Sequence, residues 1–103
     1  MYIVVLITCP GLEESHKIAD ILLKERLAAC VNIIPHLTSK FWWTGKIHVA
    51  EETLLVVKTK KSVLRELIKK VKASHQYSNP EIIALPIIGG SKEFTKWIDE
   101  ETK

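Results

Sequence analysis

The sequence predicts an α+β domain in which two helices cover one face of a four-stranded antiparallel sheet. Three observations predict this class. First, four apolar segments rich in β-branched residues are spaced along the chain. Second, a segment with apolar residues at helical spacing lies between the first and second of these, and another lies between the third and fourth. Third, polar or turn-forming residues separate the elements. The predicted order is therefore β-α-β-β-α-β, followed by a short helix.

Length and composition limit the possible functions. The chain has 103 residues, of which 47% are hydrophobic and 26% charged, which suits one hydrophobic core and is typical of globular proteins. We therefore expect a single domain over residues 1–103. The net charge of +3 is spread along the sequence, so neither nucleic acid nor a membrane is predicted as a partner. The first apolar segment is too short for a signal peptide or a spanning helix, which predicts a cytoplasmic protein.

The first strand and the first helix follow from contrasting patterns. Residues 2–7 are apolar without interruption and mostly β-branched, which is typical of an interior strand, and Pro10 and Gly11 end it. The first helix is predicted from Glu13 to about Leu27, because acidic residues occupy its first turn and apolar residues recur along one side.

The next two strands form an unusually long hairpin. A second strand is predicted over residues 29–34, and an extended segment over residues 39–43 leads to a turn at Thr44-Gly45. The third strand lies within residues 46–59. From position 29 to position 59 there are 31 residues, whereas a mean strand has about 5–6. The outer half of the hairpin is therefore expected to extend beyond the domain.

The remaining elements complete the pattern. The second helix begins near Ser62, a residue type suited to capping a helix, and its apolar positions follow helical spacing: Leu64, Leu67, Ile68 and Val71. The fourth strand is predicted over residues 81–88. Its Pro86 has no backbone N–H to donate to a neighbouring strand, which favours the edge of the sheet. Phe94, Trp97 and Ile98 indicate a short terminal helix.

This order is the split βαβ, or ferredoxin-like, arrangement, in which right-handed crossovers give the strand order 4-1-3-2 with both main helices on one face. The strands are too uniformly apolar for the other face to lie in water, so a partner surface is predicted there. Phe41, Trp42 and Trp43 are consecutive, and a strand directs consecutive side chains to opposite faces. At least one ring therefore needs a surface outside its own core. We favour a second copy of the chain over a local cluster within the hairpin.

Four motifs follow one another between positions 30 and 82, and Trp97 follows near the end of the chain: Cys30-Val31-Asn32, Trp42-Trp43-Thr44-Gly45-Lys46-Ile47, Lys58-Thr59 and His75-x-Tyr77-x-x-Pro80-Glu81-Ile82. In this combination they resemble the CutA family of divalent-cation tolerance proteins. The resemblance implies a ferredoxin-like fold, a homotrimer assembled through the long hairpins, and a link to copper and other divalent cations. The bacterial pattern linked to copper has a cysteine and two adjacent histidines. The aligned positions here are Ile7, Ser74 and His75, so only His75 is retained.

Three potential metal ligands are expected at one end of the sheet. The topology places Cys9 at the carboxyl end of the first strand, His75 at the entry to the neighbouring fourth strand, and His16 in the first turn of the helix that starts at the same end. A thiolate and two imidazoles suit copper or zinc, so Cys9, His16 and His75 are candidate ligands for Cu²⁺ or another divalent cation. Alternatively, Cys9 is a small buried residue and His75 a cation at a helix end. Cys30 begins the second strand at the opposite end, which predicts no disulfide within the chain.

A second candidate site comes from the resemblance. It implies that Lys58, Thr59, Tyr77 and Glu81 line a cleft between subunits, where a lysine, a phenol and a carboxylate would hold a small anion or metabolite. The same residues could instead form a buried hydrogen-bond network between subunits. The first alternative gives a second functional hypothesis, a trimeric scaffold that senses a small molecule.

Three other classes of protein have this order of elements, but the residues on which their functions depend are absent from this chain. An RNA-recognition module stacks bases on aromatic residues of its first and third strands, and residues 52–57 of the third strand contain none. A copper-chaperone domain would have CxxC in the first loop, where this chain has only Cys9. A hydrolase of the acylphosphatase kind would need an arginine after the first strand, but Arg26 and Arg65 are on predicted helices. We therefore expect a non-enzymatic protein without an organic cofactor.

Overall fold

The computed structural model describes all 103 residues and confirms the predicted α+β class. A single 3₁₀ turn, Lys61–Val63, precedes the second helix. The sheet has the order β2-β3-β1-β4, and all of its pairs are antiparallel, as the crossover rule predicts. The main elements are β1 (Tyr2–Cys9), α1 (Leu12–Lys24), β2 (Cys30–Trp43), β3 (Lys46–Lys60), α2 (Leu64–Ser74), β4 (Ile82–Pro86) and α3 (Lys92–Glu101).

The two faces of the sheet differ in what covers them. Alternate residues of β1 and β3 point toward α1 and α2 and pack with helical residues such as Ile18, Leu22 and Leu67 in one core. We call this the covered face; its central members are Ile3, Val5, Ile7, Cys9, Thr53, Leu55, Val57 and Thr59. The intervening residues form what we call the open face, with Val4, Leu6, Thr8, Ile34, Glu52, Leu54, Val56, Lys58, Ile83 and Leu85.

The open face has no layer over it within one chain. Ile34, Ile83 and Leu85 are 47%, 52% and 47% exposed there. These large apolar side chains lie on two different strands, and residues of this type are usually buried. The face therefore has the bare apolar character that the sequence predicts.

The hairpin is one continuous feature. The two extended segments predicted within residues 29–43 are a single 14-residue strand, β2, which pairs with the 15-residue β3. The register of β2 shifts between Ile34 and Leu37, and His36 has a positive φ of 62° there. Thr44 and Gly45 have φ values of 53° and 80°, as a tight hairpin turn requires. The three ring-bearing residues near this turn are exposed: Phe41, Trp42 and Trp43.

Several element boundaries differ from the prediction, including the start of α2, which is at Leu64 rather than near Ser62. Helix α1 ends at Lys24 rather than near Leu27, because Arg26 adopts a left-handed φ of 57°. The N–H of Leu27 then bonds the carbonyl of Leu22 at 2.9 Å, which closes the helix and directs the Leu27 side chain into the core. Strand β4 is shorter than predicted, ending at Pro86, but it lies at the sheet edge as expected. None of the helices has the length and apolar character needed to cross a membrane.

Candidate functional site

Three buried side chains converge at one end of the sheet. Cys9 is the last residue of β1, Glu14 lies in the first turn of α1, and His75 follows α2 directly. One potential ligand atom from each residue lies within 4.8 Å of the others. Cys9 is fully buried, Glu14 is 7% exposed, and the His75 side chain has no exposed surface. The close turn at Pro10 and Gly11 brings the start of α1 back over the end of β1, which places the three residues together.

Two hydrogen bonds fix the tautomer of His75. Its Nε2 lies 2.7 Å from the carbonyl oxygen of Thr8, and a carbonyl only accepts, so Nε2 carries the hydrogen. Its Nδ1 accepts a hydrogen bond of 3.0 Å from the backbone N–H of Tyr77. The lone pair of the imidazole is therefore on Nδ1, the ring atom that lies 3.6 Å from Oε2 of Glu14.

The Glu14 carboxylate is only half satisfied. Its Oε1 accepts a hydrogen bond from the backbone N–H of Gln76 at 3.0 Å. Its Oε2 is buried and has no hydrogen-bond partner. A buried carboxylate oxygen without a partner is costly, and structures rarely leave one without a reason.

The Cys9 thiol is held in its neutral form. Burial raises the pKa of Cys9 to about 11, and the charges of Glu14 and Glu52 add to this, while the nearby Ser15 hydroxyl opposes the rise. A cation would therefore have to displace a proton from this sulfur in order to bind it.

His16 does not join this cluster. It is exposed on α1, and the third potential ligand beside Cys9 and His75 is Glu14. Residues two positions apart on a helix are about 200° apart around its axis, so the turn that buries Glu14 directs His16 to solvent. A sequence signal for Glu14 exists, since it is in line with Ile18 and Leu22 at i+4 and i+8, on the apolar side of the helix.

A second polar group lies beside the first. The hydroxyl of Tyr77 donates to Oε2 of Glu52 at 2.8 Å, and the Tyr77 ring packs on His75 with centroids 4.8 Å apart. Burial raises the pKa of Tyr77 to about 12, and the hydrogen bond and charge of Glu52 add to this. Burial also raises the pKa of Glu81, as does the neighbouring charge of Glu52. Glu52 is 7% exposed and was not among the candidate site residues predicted from the sequence.

This polar group opens into a cavity of about 430 Å³ under the hairpin. An adjoining cavity of about 460 Å³ also has Tyr77 in its wall, together with Trp43. The first cavity is lined by Thr8, Ser39, Lys40, Phe41, Trp42, Trp43, Glu52, Tyr77, Asn79 and Glu81.

Lys58 and Thr59 lie apart from these residues within one chain. They are consecutive in β3 and so point to opposite faces. Thr59 is on the covered face, where its hydroxyl donates to the carbonyl of Leu27 at 2.7 Å. Lys58 is on the open face, with its Nζ 4.0 Å from Sγ of Cys30. Both cysteines are free.

Comparison with known proteins identifies the family of the chain. The family model described as CutA1 divalent ion tolerance protein matches residues 3–101. The structure of a divalent cation tolerance protein (Cut A1) from Thermus thermophilus has a TM-score of 0.98 and 48% identity, with 100% of each chain covered. A structure described as the periplasmic divalent cation tolerance protein CutA from Archaeoglobus fulgidus has a TM-score of 0.97 at the same identity and coverage.

A plant relative is longer. Protein CutA 1, chloroplastic, from Oryza sativa subsp. japonica is 45% identical over 101 residues, which are 98% of this chain and 57% of the rice protein. The chain thus spans a little more than half the length of that relative. The match over nearly all of this chain, at identities near one half, shows that it belongs to the CutA family of divalent-cation tolerance proteins.

Proposed function

We propose that this CutA-family chain is a homotrimeric, non-catalytic protein that binds a divalent cation between Cys9, Glu14 and His75. The observation that carries the proposal is the unpartnered Oε2 of Glu14. This oxygen lies 3.6 Å from Nδ1 of His75, the ring nitrogen without a hydrogen. Two electron-pair donors this close together in a buried site are stabilised by a cation between them.

The donor set indicates the kind of cation. A thiolate, an imidazole and a carboxylate together suit Zn²⁺ or Cu²⁺, whereas Ca²⁺ and Mg²⁺ prefer oxygen ligands alone. The hydrogen bond from Nε2–H of His75 to the Thr8 carbonyl is the outer contact that usually orients a metal-binding histidine. Three protein ligands would leave one coordination position for water or another group. No organic cofactor is part of the proposal.

Two features support the homotrimer. The open face presents Ile34, Ile83 and Leu85 without a covering layer, and the hairpin carries the exposed rings of Trp42 and Trp43. Burial of such surfaces against other copies of the chain would remove apolar area from water at about 25 cal/mol per Å². We also propose that the 103 residues act as one domain and that the protein is cytoplasmic, which the two free cysteines support.

A second candidate function, the small-molecule-sensing scaffold, is favoured by one observation. Tyr77 and Glu81 share the wall of a 430 Å³ cavity with aromatic residues of the hairpin. Glu52 adds a second carboxylate to this wall, and its lysine is Lys40 rather than Lys58. With two carboxylates against one ammonium group, a cationic or neutral ligand would fit the cavity better than the small anion that the resemblance implies.

Isothermal titration of the full chain with Zn²⁺ and with Cu²⁺ tests the cation site. We expect Cys9→Ser, Glu14→Gln and His75→Ala each to weaken binding at least about tenfold, since even contacts behind the ligands typically contribute 10- to 100-fold to metal affinity. Matched controls are Cys30→Ser, Glu13→Gln and His16→Ala, which change the same residue types outside the cluster. Equal affinities in the two groups of variants would refute the assignment.

A further inference from the structure

The Nδ1 atom of His75 is involved in two interactions that exclude each other. It accepts a hydrogen bond from the backbone N–H of Tyr77 at 3.0 Å, and it is the potential ligand atom 3.6 Å from Oε2 of Glu14. A neutral imidazole has one lone pair, on the nitrogen without hydrogen, so this nitrogen cannot fully serve a cation and the Tyr77 N–H together. Cation binding must weaken or break the hydrogen bond to Tyr77.

We propose that cation binding at Cys9, Glu14 and His75 releases the backbone of Tyr77 and thereby repositions the Tyr77 phenol in the wall of the cavity under the hairpin. The proposal rests on the proposed function, since it requires the cation to bind at this cluster. It assigns a regulatory consequence to that binding: the cation site and the cavity are coupled through one residue.

Tyr77 is held at three points, and the cation acts on two of them. Its backbone N–H bonds Nδ1 of His75, its ring packs on the same imidazole at 4.8 Å, and its hydroxyl bonds Glu52 at 2.8 Å. Ligation of His75 removes the first contact and restrains the ring that makes the second. The ring contact and the hydroxyl bond then remain, and the hydroxyl bond ties the loop after α2 to β3.

The displacement would be transmitted to the hairpin because Tyr77 lines both cavities beneath it. Trp43 lines the same two cavities, so a shift of the phenol changes the surroundings of this indole. The hairpin is also the segment that we propose to join the subunits. Binding of a cation would thus alter the cavity under the hairpin, which is where we propose that a second ligand or another copy of the chain makes contact.

The backbone amide of Gln76, next to that of Tyr77, provides an internal reference for the effect of the cation. The backbone N–H of Gln76 bonds Oε1 of Glu14 at 3.0 Å, whereas the unpartnered oxygen that faces His75 is Oε2. A cation bound through Oε2 leaves the bond of Oε1 in place. The coupling therefore predicts different behaviour for two consecutive amides.

Amide hydrogen exchange of the ¹⁵N-labelled full chain, followed by NMR with and without Zn²⁺, tests this directly. We expect exchange of the Tyr77 amide to accelerate about tenfold when Zn²⁺ is bound, as the loss of one hydrogen bond implies. Exchange of the Gln76 amide should stay within about twofold. If calorimetry shows Zn²⁺ binding at the cluster while both amides are unchanged, the coupling is refuted and the proposed function stands. If Zn²⁺ does not bind, both proposals fail.

A substitution at Tyr77 gives a second test, because the proposal predicts that it makes Zn²⁺ binding tighter rather than weaker. Tyr77→Phe keeps the backbone N–H but removes the bond to Glu52, which makes the Tyr77 segment easier to displace. Because coupling is reciprocal, we expect this variant to bind Zn²⁺ about two- to tenfold more tightly than the parent chain. Tyr2→Phe, which removes the other phenol of the chain, should leave the affinity unchanged. A Tyr77→Phe affinity equal to or weaker than that of the parent would overturn the proposal, because a purely structural hydrogen bond gives no gain.

Discussion

The covered and open faces of the sheet are built from the same types of residue but are in different surroundings. Leu55 and Val57 on the covered face are fully buried by the helices, whereas their neighbours Leu54 and Val56 on the open face are only partly buried. In a sheet that served one core alone, the second face would be polar. The covered face therefore stabilises the chain itself, and the difference supports the proposal that the open face, continued by the hairpin, stabilises an assembly.

The largest expected effect concerns assembly. In the proposed homotrimer of three 11.7 kDa chains, Trp43→Ala should weaken association, because loss of a buried aromatic side chain typically costs about 3–5 kcal/mol. Light scattering coupled to gel filtration at micromolar concentration would show the parent near 35 kDa, three times the chain mass, and the variant shifted toward the monomer. Trp97→Ala, on α3 outside the hairpin, is the matched control. An unchanged mass and melting temperature for Trp43→Ala would mean that this ring lies outside the interface.

A paired substitution separates the two faces more sharply. Leu55→Ala should lower the free energy of unfolding by about 2–5 kcal/mol, as is usual for a leucine removed from a packed core. Leu54→Ala removes the same atoms from the open face, so its effect should fall mainly on association. Urea unfolding at several protein concentrations measures both quantities. If both variants lose stability equally and independently of concentration, the two faces do not have separate roles.

The fold was largely predictable because the two periodicities of the chain rarely conflict. Apolar segments such as residues 2–7 and the helical spacing of Leu64, Leu67 and Val71 specify their elements locally, and the crossover rule then leaves one strand order. The end of α1 was not predictable in this way. It depends on the positive φ of Arg26, for which arginine has no special preference, and is determined by the tertiary contact that buries Leu27.

The sequence predicted where the candidate site lies in the fold, but it did not predict all of the residues that form the site. Topology alone brings Cys9 and His75 to the same end of the sheet, and the structure places them together. Whether Glu14 or His16 joins them depends on the rotation of α1, which changes by about 100° for each residue by which the helix start shifts. The partners of Tyr77 depend on packing between β3 and the loop after α2, and no local pattern encodes the bond to Glu52.

The smallest expected effect compares the two cysteines, one on each face. In the folded chain the pKa of Cys9 is raised to about 11 from an ordinary value of 9.0, mainly by burial. Between these values the folded chain keeps a proton that the unfolded chain has lost, so the stabilisation is complete below pH 9 and is lost as pH rises toward 11. A shift of this size corresponds to about 2–3 kcal/mol. Urea unfolding under reducing conditions should show the parent losing this much more stability than Cys9→Ser between about pH 8.5 and pH 11, a window chosen to span both values. Cys30→Ser on the open face should follow the parent. Parallel curves for the parent and Cys9→Ser would mean that the Cys9 thiol ionises in the folded chain as readily as in the unfolded one.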